Sequence, residues 1–188
     1  LVDVDLAGSR NVEAYVRAAF SQSGKTIADV GCVFVDIGPG GLGATRSTVA
    51  FANALGFANS ISVIGIHAFE LIGYEVAKLT KKPVVCIRPA ARPNHYMALY
   101  DKGTLSHFSF VDTDTVQLFV RGHQHTASFA GKFSFSEVLE AKEGPWPVPV
   151  ANSASMPSFL VVALEKYKTG ARTARVYPIS ENLVVNSQ

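Results

Sequence analysis

Three glycines between positions 38 and 43 form the first pattern in this sequence that could carry chemistry. Gly38, Gly40 and Gly43 satisfy the spacing G-x-G-x-x-G, after an apolar run and before a helical stretch. In that setting, backbone amides and a helix N-terminus can hold a pyrophosphate. The dinucleotide fingerprint also needs an acidic residue at the end of the next strand, where this sequence has Ile66 and His67. A tight strand-to-helix turn, with glycines at positive φ, fits the same residues.

Two histidines offer a second candidate site. His123 and His125 are two residues apart at the edge of a strand predicted over 125–129, so both side chains could face one way and share a metal ion. No third ligand lies nearby, and a solvated strand edge is the alternative. No G-x-S-x-G elbow supports a nucleophile, and no P-loop lysine follows Gly43. We therefore predict no catalytic residue, no metal site and no cofactor.

The helix predicted over 46–58 is more informative than the glycine loop. At 100° per residue its apolar side chains spread around nearly the whole circumference, which is typical of a helix covered on both sides. One side would cover its own sheet, and a second protein is the natural cover for the other; a purely intramolecular core is the alternative. Small residues such as Ala50, Ala54 and Ala58 would let a partner helix approach closely. Arg46 could bind an anion, but pairing across that interface or capping its own loop carbonyls is favoured.

The predicted site residues belong to two groups. Those predicted to bind the partner lie on two helices of the first half: Val12, Tyr15, Val16, Ala19, Arg46, Ala50, Phe51, Ala54, Leu55 and Ala58. Those of the motif loop are Gly38, Pro39, Gly40, Gly41 and Gly43.

Composition agrees with a protein that has a partner. Of the 188 residues 48% are hydrophobic and only 17% are charged, against about 25% in an average protein. A net charge of +2 is too small for the chain to hold tRNA or an anionic membrane by itself. Cys32 and Cys86 lie in apolar runs and are typical of reduced thiols in a cytosolic protein. No apolar stretch is long enough for a bilayer, so we expect a cytoplasmic protein that does not bind membranes.

The order of predicted elements indicates an α/β fold of two lobes. In the first half a strand over 1–6 precedes alternating helices and strands over 12–20, 30–37, 46–58, 61–66 and 67–80. The second half begins with an antiparallel meander of three strands over 83–88, 95–101 and 104–110. A helix capped by Asp112 or Thr113 and a strand over 125–129 follow. The remaining predicted elements are a helix over 134–142, an extended stretch over 146–150 and a helix that starts at Pro157 and stops at Gly170. We predict lobes over 1–82 and 83–188, the first lacking most of its opening strands.

Four segments resemble the TsaB family, also called YeaZ, the non-catalytic paralogues of the tRNA threonylcarbamoyl-transferase subunit TsaD. That family carries G-P-G-S-F-T-G-[LV]-R, then G-[VI]-S-S-L-E, then D-A-R-x-x-x-[VI]-Y, and closes on A-x-P-[VI]-Y-L-R. The corresponding residues here are Gly38–Arg46, Gly65–Glu70, Ala90–Arg92 with Tyr96, and ARVYPIS at 174–180. The loop differs at positions 41–44, and Ala90 replaces the acidic residue.

The resemblance implies the fold of the actin-like ATPases, two lobes each built on a ribonuclease-H-like sheet. It also implies a non-catalytic scaffold subunit that binds a TsaD-like paralogue through its N-terminal lobe and supports threonylcarbamoylation of adenosine 37 in tRNA. A TsaE-like ATPase is a further expected partner, a homodimer is expected when the paralogue is absent, and tRNA is contacted only through the complex. The catalytic paralogue holds its metal with histidines spaced H-x-x-x-H, which nothing here matches. The alternatives are an ATP-dependent phosphotransferase of the actin-like fold and a dinucleotide-binding oxidoreductase.

Overall fold

A computed structural model describes residues 11–133 and 149–179, and these ranges form five α-helices and six strands. The helices are α1 (Val12–Ser23), α2 (Leu42–Asn59), α3 (Ala68–Thr80), α4 (Thr113–His123) and α5 (Met156–Lys168). The strands are β1 (Cys32–Asp36), β2 (Ser62–Ile66), β3 (Val84–Pro89), β4 (His95–Asp101), β5 (Thr104–Val111) and β6 (Ser128–Gly131). The predicted strand over 1–6 and helix over 134–142 lie outside the described residues, as does most of the extended stretch over 146–150.

The first sheet pairs β1 with β2 in parallel, with Cys32 opposite Ser62. α2 covers one face, where Val35 and Val63 pack with buried residues of α2. α5 covers the other face, where Ile64 packs against Ala163. Residues of β1 take part in both clusters, Val35 on the side of α2 and Phe34 on the side of α5.

The second sheet has the strand order β5-β4-β3-β6. β3, β4 and β5 form the antiparallel meander that the sequence predicts, and β6 adds in parallel to the other edge of β3. α3 packs on one face, where Phe69 and Ile72 are fully buried. α4 packs on the other face through Val116 and Val120. Parallel strands joined by helices, combined with a meander, confirm the α/β class.

The two sheets exchange helices. α3 comes from the first half of the chain but lies on the second sheet, whereas α5 comes from the second half and lies on the first sheet. Lys166 of α5 also forms an ion pair with Glu70 of α3, with 2.8 Å between Nζ and Oε2. The predicted boundary between residues 82 and 83 falls in the link between α3 and β3, and the division into lobes stays a prediction.

Helix ends follow from local sequence. The Asn11 side chain accepts a hydrogen bond from the Ala14 amide at the start of α1, and Gly24 ends this helix with a left-handed φ of 64°. Asp112 caps α4 through the Thr115 amide. The Asp112 cap is one of the two predicted for this helix. Within the described ranges no helix has the length and hydropathy to cross a bilayer.

Two elements, α2 and β6, begin well away from their predicted first residues. The helix predicted to start at Arg46 begins at Leu42, so Gly43 lies in its first turn and not in the loop. The strand predicted over 125–129 begins at Ser128, because α4 runs on to His123 and a turn follows it. Pairing with β3 begins at Ser128, which lies opposite Val84.

Candidate protein interface and motif loop

The motif loop over 38–41 joins β1 to α2 and is tied to its surroundings by main-chain hydrogen bonds. The Gly38 amide donates to Oδ1 of Asp36 over 2.7 Å, and the Gly38 carbonyl accepts from the Ala68 amide over 2.7 Å. Gly38 has a φ of 92°, which favours glycine. Gly40 and Gly43 do not have positive φ, so the turn hypothesis is correct for Gly38 and wrong for the other two glycines.

Arg88 connects this loop to the second sheet. Its Nη1 donates to the Pro39 carbonyl over 2.7 Å, and its Nη2 donates to the Asn152 carbonyl over 3.3 Å. Asp36 lies nearby, and burial raises the pKa of its carboxyl against the lowering effects of the Gly38 hydrogen bond and the Arg88 charge. A small cavity of about 130 Å³ separates Asp36 and Arg88 from Ser155. The arginine and the carboxylate therefore hold the loop in place between the two sheets.

His67 is a partly buried helix cap beside the loop. Its Nδ1 accepts a hydrogen bond from the Phe69 amide over 3.1 Å, and its ring meets that of Phe108 edge-on at 4.7 Å. An accepting Nδ1 places the proton of the neutral ring on Nε2. Burial, with smaller contributions from the Lys166 and Arg88 charges, lowers the pKa of His67 from 6.5 to about 3.

This histidine should make the fold sensitive to mild acid. The unfolded chain takes up a proton at position 67 below about pH 6.5, whereas the folded chain does so only near pH 3. Protonation of His67 therefore does not change the free energy of unfolding above about pH 6.5. It lowers that free energy as the pH falls from about 6.5 toward 3. For His67→Asn, which keeps a capping acceptor, we expect the loss of unfolding free energy between pH 7 and pH 5 to be smaller by about 2 kcal/mol.

Urea unfolding at the two pH values measures that difference. His107→Asn is the matched control, because His107 is exposed and its φ of 53° suits asparagine. The control should lose as much stability as the parent. An equal loss in His67→Asn and the parent would show that burial of His67 does not link folding to protonation.

The helix α2 has one buried face and one open face. Val49, Ala52 and Gly56 are buried against the first sheet. The open face carries four of the predicted partner-binding residues, all of them exposed: Arg46, Ala50, Ala54 and Ala58. Phe51 and Leu55 lie between the two faces and are partly buried. The small side chains that predict partner packing therefore face outward.

A groove of about 730 Å³ runs along this open face. Its second wall is the extended segment over 174–178, which we call the C-terminal strap. The Asn53 side chain fixes the strap by donating to the Val176 carbonyl over 2.8 Å and accepting from the Val176 amide over 3.0 Å. Phe57 is 88% exposed and Tyr177 is 62% exposed, and both line the groove.

The other predicted site residues lie apart from the groove. Val12, Tyr15, Val16 and Ala19 are partly buried on α1, and none of them lines it. His123 ends α4, with Nδ1 2.8 Å from the Phe119 carbonyl oxygen, and His125 follows in a turn. Their predicted position on a strand edge is wrong, and the described ranges contain no group of three or more metal-ligating side chains.

Sequence reasoning missed two parts of the groove. The strap matches the closing family motif, but nothing in its residues indicated that it lies against α2. Asn53 is a polar residue in a helix that the sequence identifies by its apolar residues, and its type alone does not point to a main-chain partner. Phe57 lies four residues after Asn53 and therefore on the same face of α2. That spacing is the signal in the sequence that places both residues on one face.

Two solved structures have the same fold as this chain. A Pseudomonas aeruginosa protein described as uncharacterized, with similarity to peptidase YEAZ, superposes with a TM-score of 0.71 and 17% identity over 92% of this chain and 83% of that one. YeaZ from Pseudomonas aeruginosa superposes with a TM-score of 0.66 and 16% identity over 94% and 85% of the two chains. The chain therefore has the YeaZ fold, and the predicted actin-like class is confirmed.

The family model for TsaD, tRNA N6-adenosine threonylcarbamoyltransferase, matches residues 7–121. The chain belongs to this family. The transferases of Bordetella pertussis (strain Tohama I) and Bordetella parapertussis (strain 12822) are 35% identical to it over 74 residues. That match covers 39% of this chain but only 21% of each transferase, so it spans about a fifth of their length. The fold and the family together confirm the resemblance drawn from the motifs.

Proposed function

We propose that this chain is a non-catalytic accessory subunit that binds a TsaD-like transferase and supports threonylcarbamoylation of adenosine 37 in tRNA. Binding uses the open face of α2 together with α1, in the lobe proposed over 1–82. A TsaE-like ATPase is a further proposed partner, and the chain is proposed to form a homodimer when the transferase is absent. The complex is proposed to act in the cytoplasm. tRNA is contacted through the complex, because a net charge of +2 offers few phosphate contacts.

The observation that carries this proposal is the open face of α2. Ala50 and Ala54 are one turn apart and exposed, and Phe57, a large aromatic side chain, is 88% exposed beside them. An exposed apolar surface of this kind is typical of a protein contact. The YeaZ fold supports the same conclusion, because the family resemblance assigns the partner contact to this lobe.

The sequence supports an accessory role over a catalytic one. Its five histidines stand at positions 67, 95, 107, 123 and 125, and no two of them are four residues apart. The family resemblance implies that the catalytic paralogue holds its metal with that spacing. The nearest pair, His123 and His125, lies at the end of α4 and in the turn after it.

Reconstitution tests the proposal. The purified chain and the transferase of the same organism should elute together in size-exclusion chromatography. With tRNA and threonylcarbamoyl-adenylate, the pair should form more threonylcarbamoyladenosine than the transferase alone, measured by mass spectrometry of digested tRNA. The chain alone should form none. Modification by the chain alone, or separate elution without stimulation, would contradict the proposed role.

A further inference from the structure

A pocket lies between α3, α5 and the turn that joins β4 to β5, and we call it the α3–α5 pocket. Its volume of about 360 Å³ is within the range of about 300–1,000 Å³ seen for small-molecule sites. We propose that it binds a small organic ammonium ion, whose apolar body lies against Tyr74 and Tyr100 and whose cationic group faces Glu165. This binding site goes beyond the proposed function and does not depend on it.

The walls of the α3–α5 pocket are apolar and fixed by the core. Tyr74 packs against the core of the second sheet, and Tyr100 is buried in it. Tyr100 lies directly against the main chain of α3, because Gly73 has no Cβ to hold the ring away. α5 contributes the apolar side chains of Val161 and Val162. An apolar body can therefore leave water here with little rearrangement of the protein.

The two tyrosines also supply groups that attract a cation. Aromatic rings bind ammonium groups over their faces, and a tyrosine hydroxyl can accept a hydrogen bond from one. Within the described ranges neither the Tyr74 nor the Tyr100 hydroxyl makes a hydrogen bond to the protein. Burial and the nearby Glu70 charge raise the pKa of Tyr100, so its hydroxyl remains neutral. Both hydroxyls are therefore available to a ligand.

The charges that line the α3–α5 pocket leave an acidic excess. The charged lining residues are Glu70, Glu165 and Lys166. Nζ of Lys166 lies 3.0 Å from Oε1 and 2.8 Å from Oε2 of Glu70, so these two charges match each other. Glu165 pairs with Lys168, which is exposed and does not line the pocket. Since an exposed ion pair contributes little, the Glu165 carboxylate can pair with a bound cation, whereas an anion would meet a lysine that is already neutralised.

Three probes of similar shape test which charge the pocket selects. We expect 2-phenylethylamine to bind the wild-type chain with a Kd of about 1 mM. In NMR titrations it should shift the amide signals of Gly103, Val161 and Thr169, which line the pocket. The neutral 2-phenylethanol should bind about tenfold more weakly. The anionic 3-phenylpropionate should give no saturable shifts.

Single substitutions assign that binding to the α3–α5 pocket. Glu165→Gln should weaken binding of the amine about fivefold, which is the upper range for an exposed ion pair, and leave binding of the alcohol unchanged. Glu13→Gln is the matched control, because Glu13 is also an exposed helix residue that pairs with a nearby cation, Arg17. Val161→Trp should fill the pocket and abolish binding of both probes. Val161 is 40% exposed, so this variant should fold, which its melting temperature checks.

The other results would overturn the pocket proposal. They are tighter binding of 3-phenylpropionate than of the amine, equal binding of the amine to Glu165→Gln and the parent, shifts elsewhere on the chain, and no binding of the amine up to about 20 mM. Displacement of the amine by the transferase would also overturn it, because the ammonium group would then come from a partner's lysine. The probes act on the chain alone, so a transferase that does not bind would contradict only the proposed function.

Discussion

Replacing Ala54 with arginine should leave the chain folded and abolish its association with the transferase. Ala54 is exposed on the open face of α2, so in the free chain the new side chain can extend into water. In the complex it would occupy the space of the partner helix, and its charge would lose hydration without gaining a counter-ion. We expect a melting temperature within about 2 °C of the parent and no shared peak in size-exclusion chromatography.

Two neighbouring variants make this result specific. Ala54→Ser keeps a small side chain and should bind like the parent. Ala52→Arg places the same charge two residues away, where the parent alanine is only 4% exposed and packs with Val35, Val49 and Val63. That variant should not fold, because a buried arginine has neither room nor a partner there. If Ala54→Arg melts like the parent and still forms the complex, the interface does not include this face.

Replacing Gly73 with alanine should destabilise the fold by about 2 kcal/mol, although alanine is the better helix former by about 1 kcal/mol. Gly73 is buried in α3 where this helix crosses β4. A Cβ built there would lie 2.5 Å from Cγ and 2.6 Å from Cβ of Tyr100. These atoms are at the base of a tyrosine that is only 6% exposed, so the helix and the strand would have to move apart. Chemical denaturation measures the loss.

Gly122 gives the opposite expectation. It lies in α4, is exposed, and has nothing within 4 Å of a built Cβ. Gly122→Ala should therefore stabilise the fold by about 0.5–1 kcal/mol through helix propensity alone. If both variants gain stability, the close approach of α3 to Tyr100 does not restrict the residue at position 73.

The sequence predicted most elements because their ends are local. The side chains of Asn11 and Asp112 cap α1 and α4 by accepting hydrogen bonds from the amides three residues later. Such a cap is visible in a sequence as Asn or Asp just before a helical pattern. The start of α2 was missed because Gly41, Leu42 and Gly43 resemble a continuing loop. Glycine disfavours a helix interior by about 1 kcal/mol, and contacts along the rest of a long helix outweigh that preference.

The candidate site was only partly predictable, for a physical reason. The periodicity of α2 identifies Ala50 and Ala54, because residues four apart share a helix face. The second wall of the groove depends on the bond between Asn53 and Val176, which are 123 positions apart. The ring of His67 also packs edge-on against Phe108, which reaches it from β5. Residue spacing in one sequence predicts contacts within an element, but it does not predict which distant segments come together.

The exchange of α3 and α5 between the sheets has a consequence for synthesis on the ribosome. β1 and β2 emerge early, but Ala163 and Phe159, which cover Ile64 and Ile66, are made about a hundred residues later. Until then no other described helix covers that apolar face of the first sheet. The apolar face of α3 is likewise made before the strands of the second sheet that cover it. A nascent chain halted before α5 would present that face to other chains and to chaperones. The order of synthesis therefore makes the addition of α5 the step that covers this face of the first sheet.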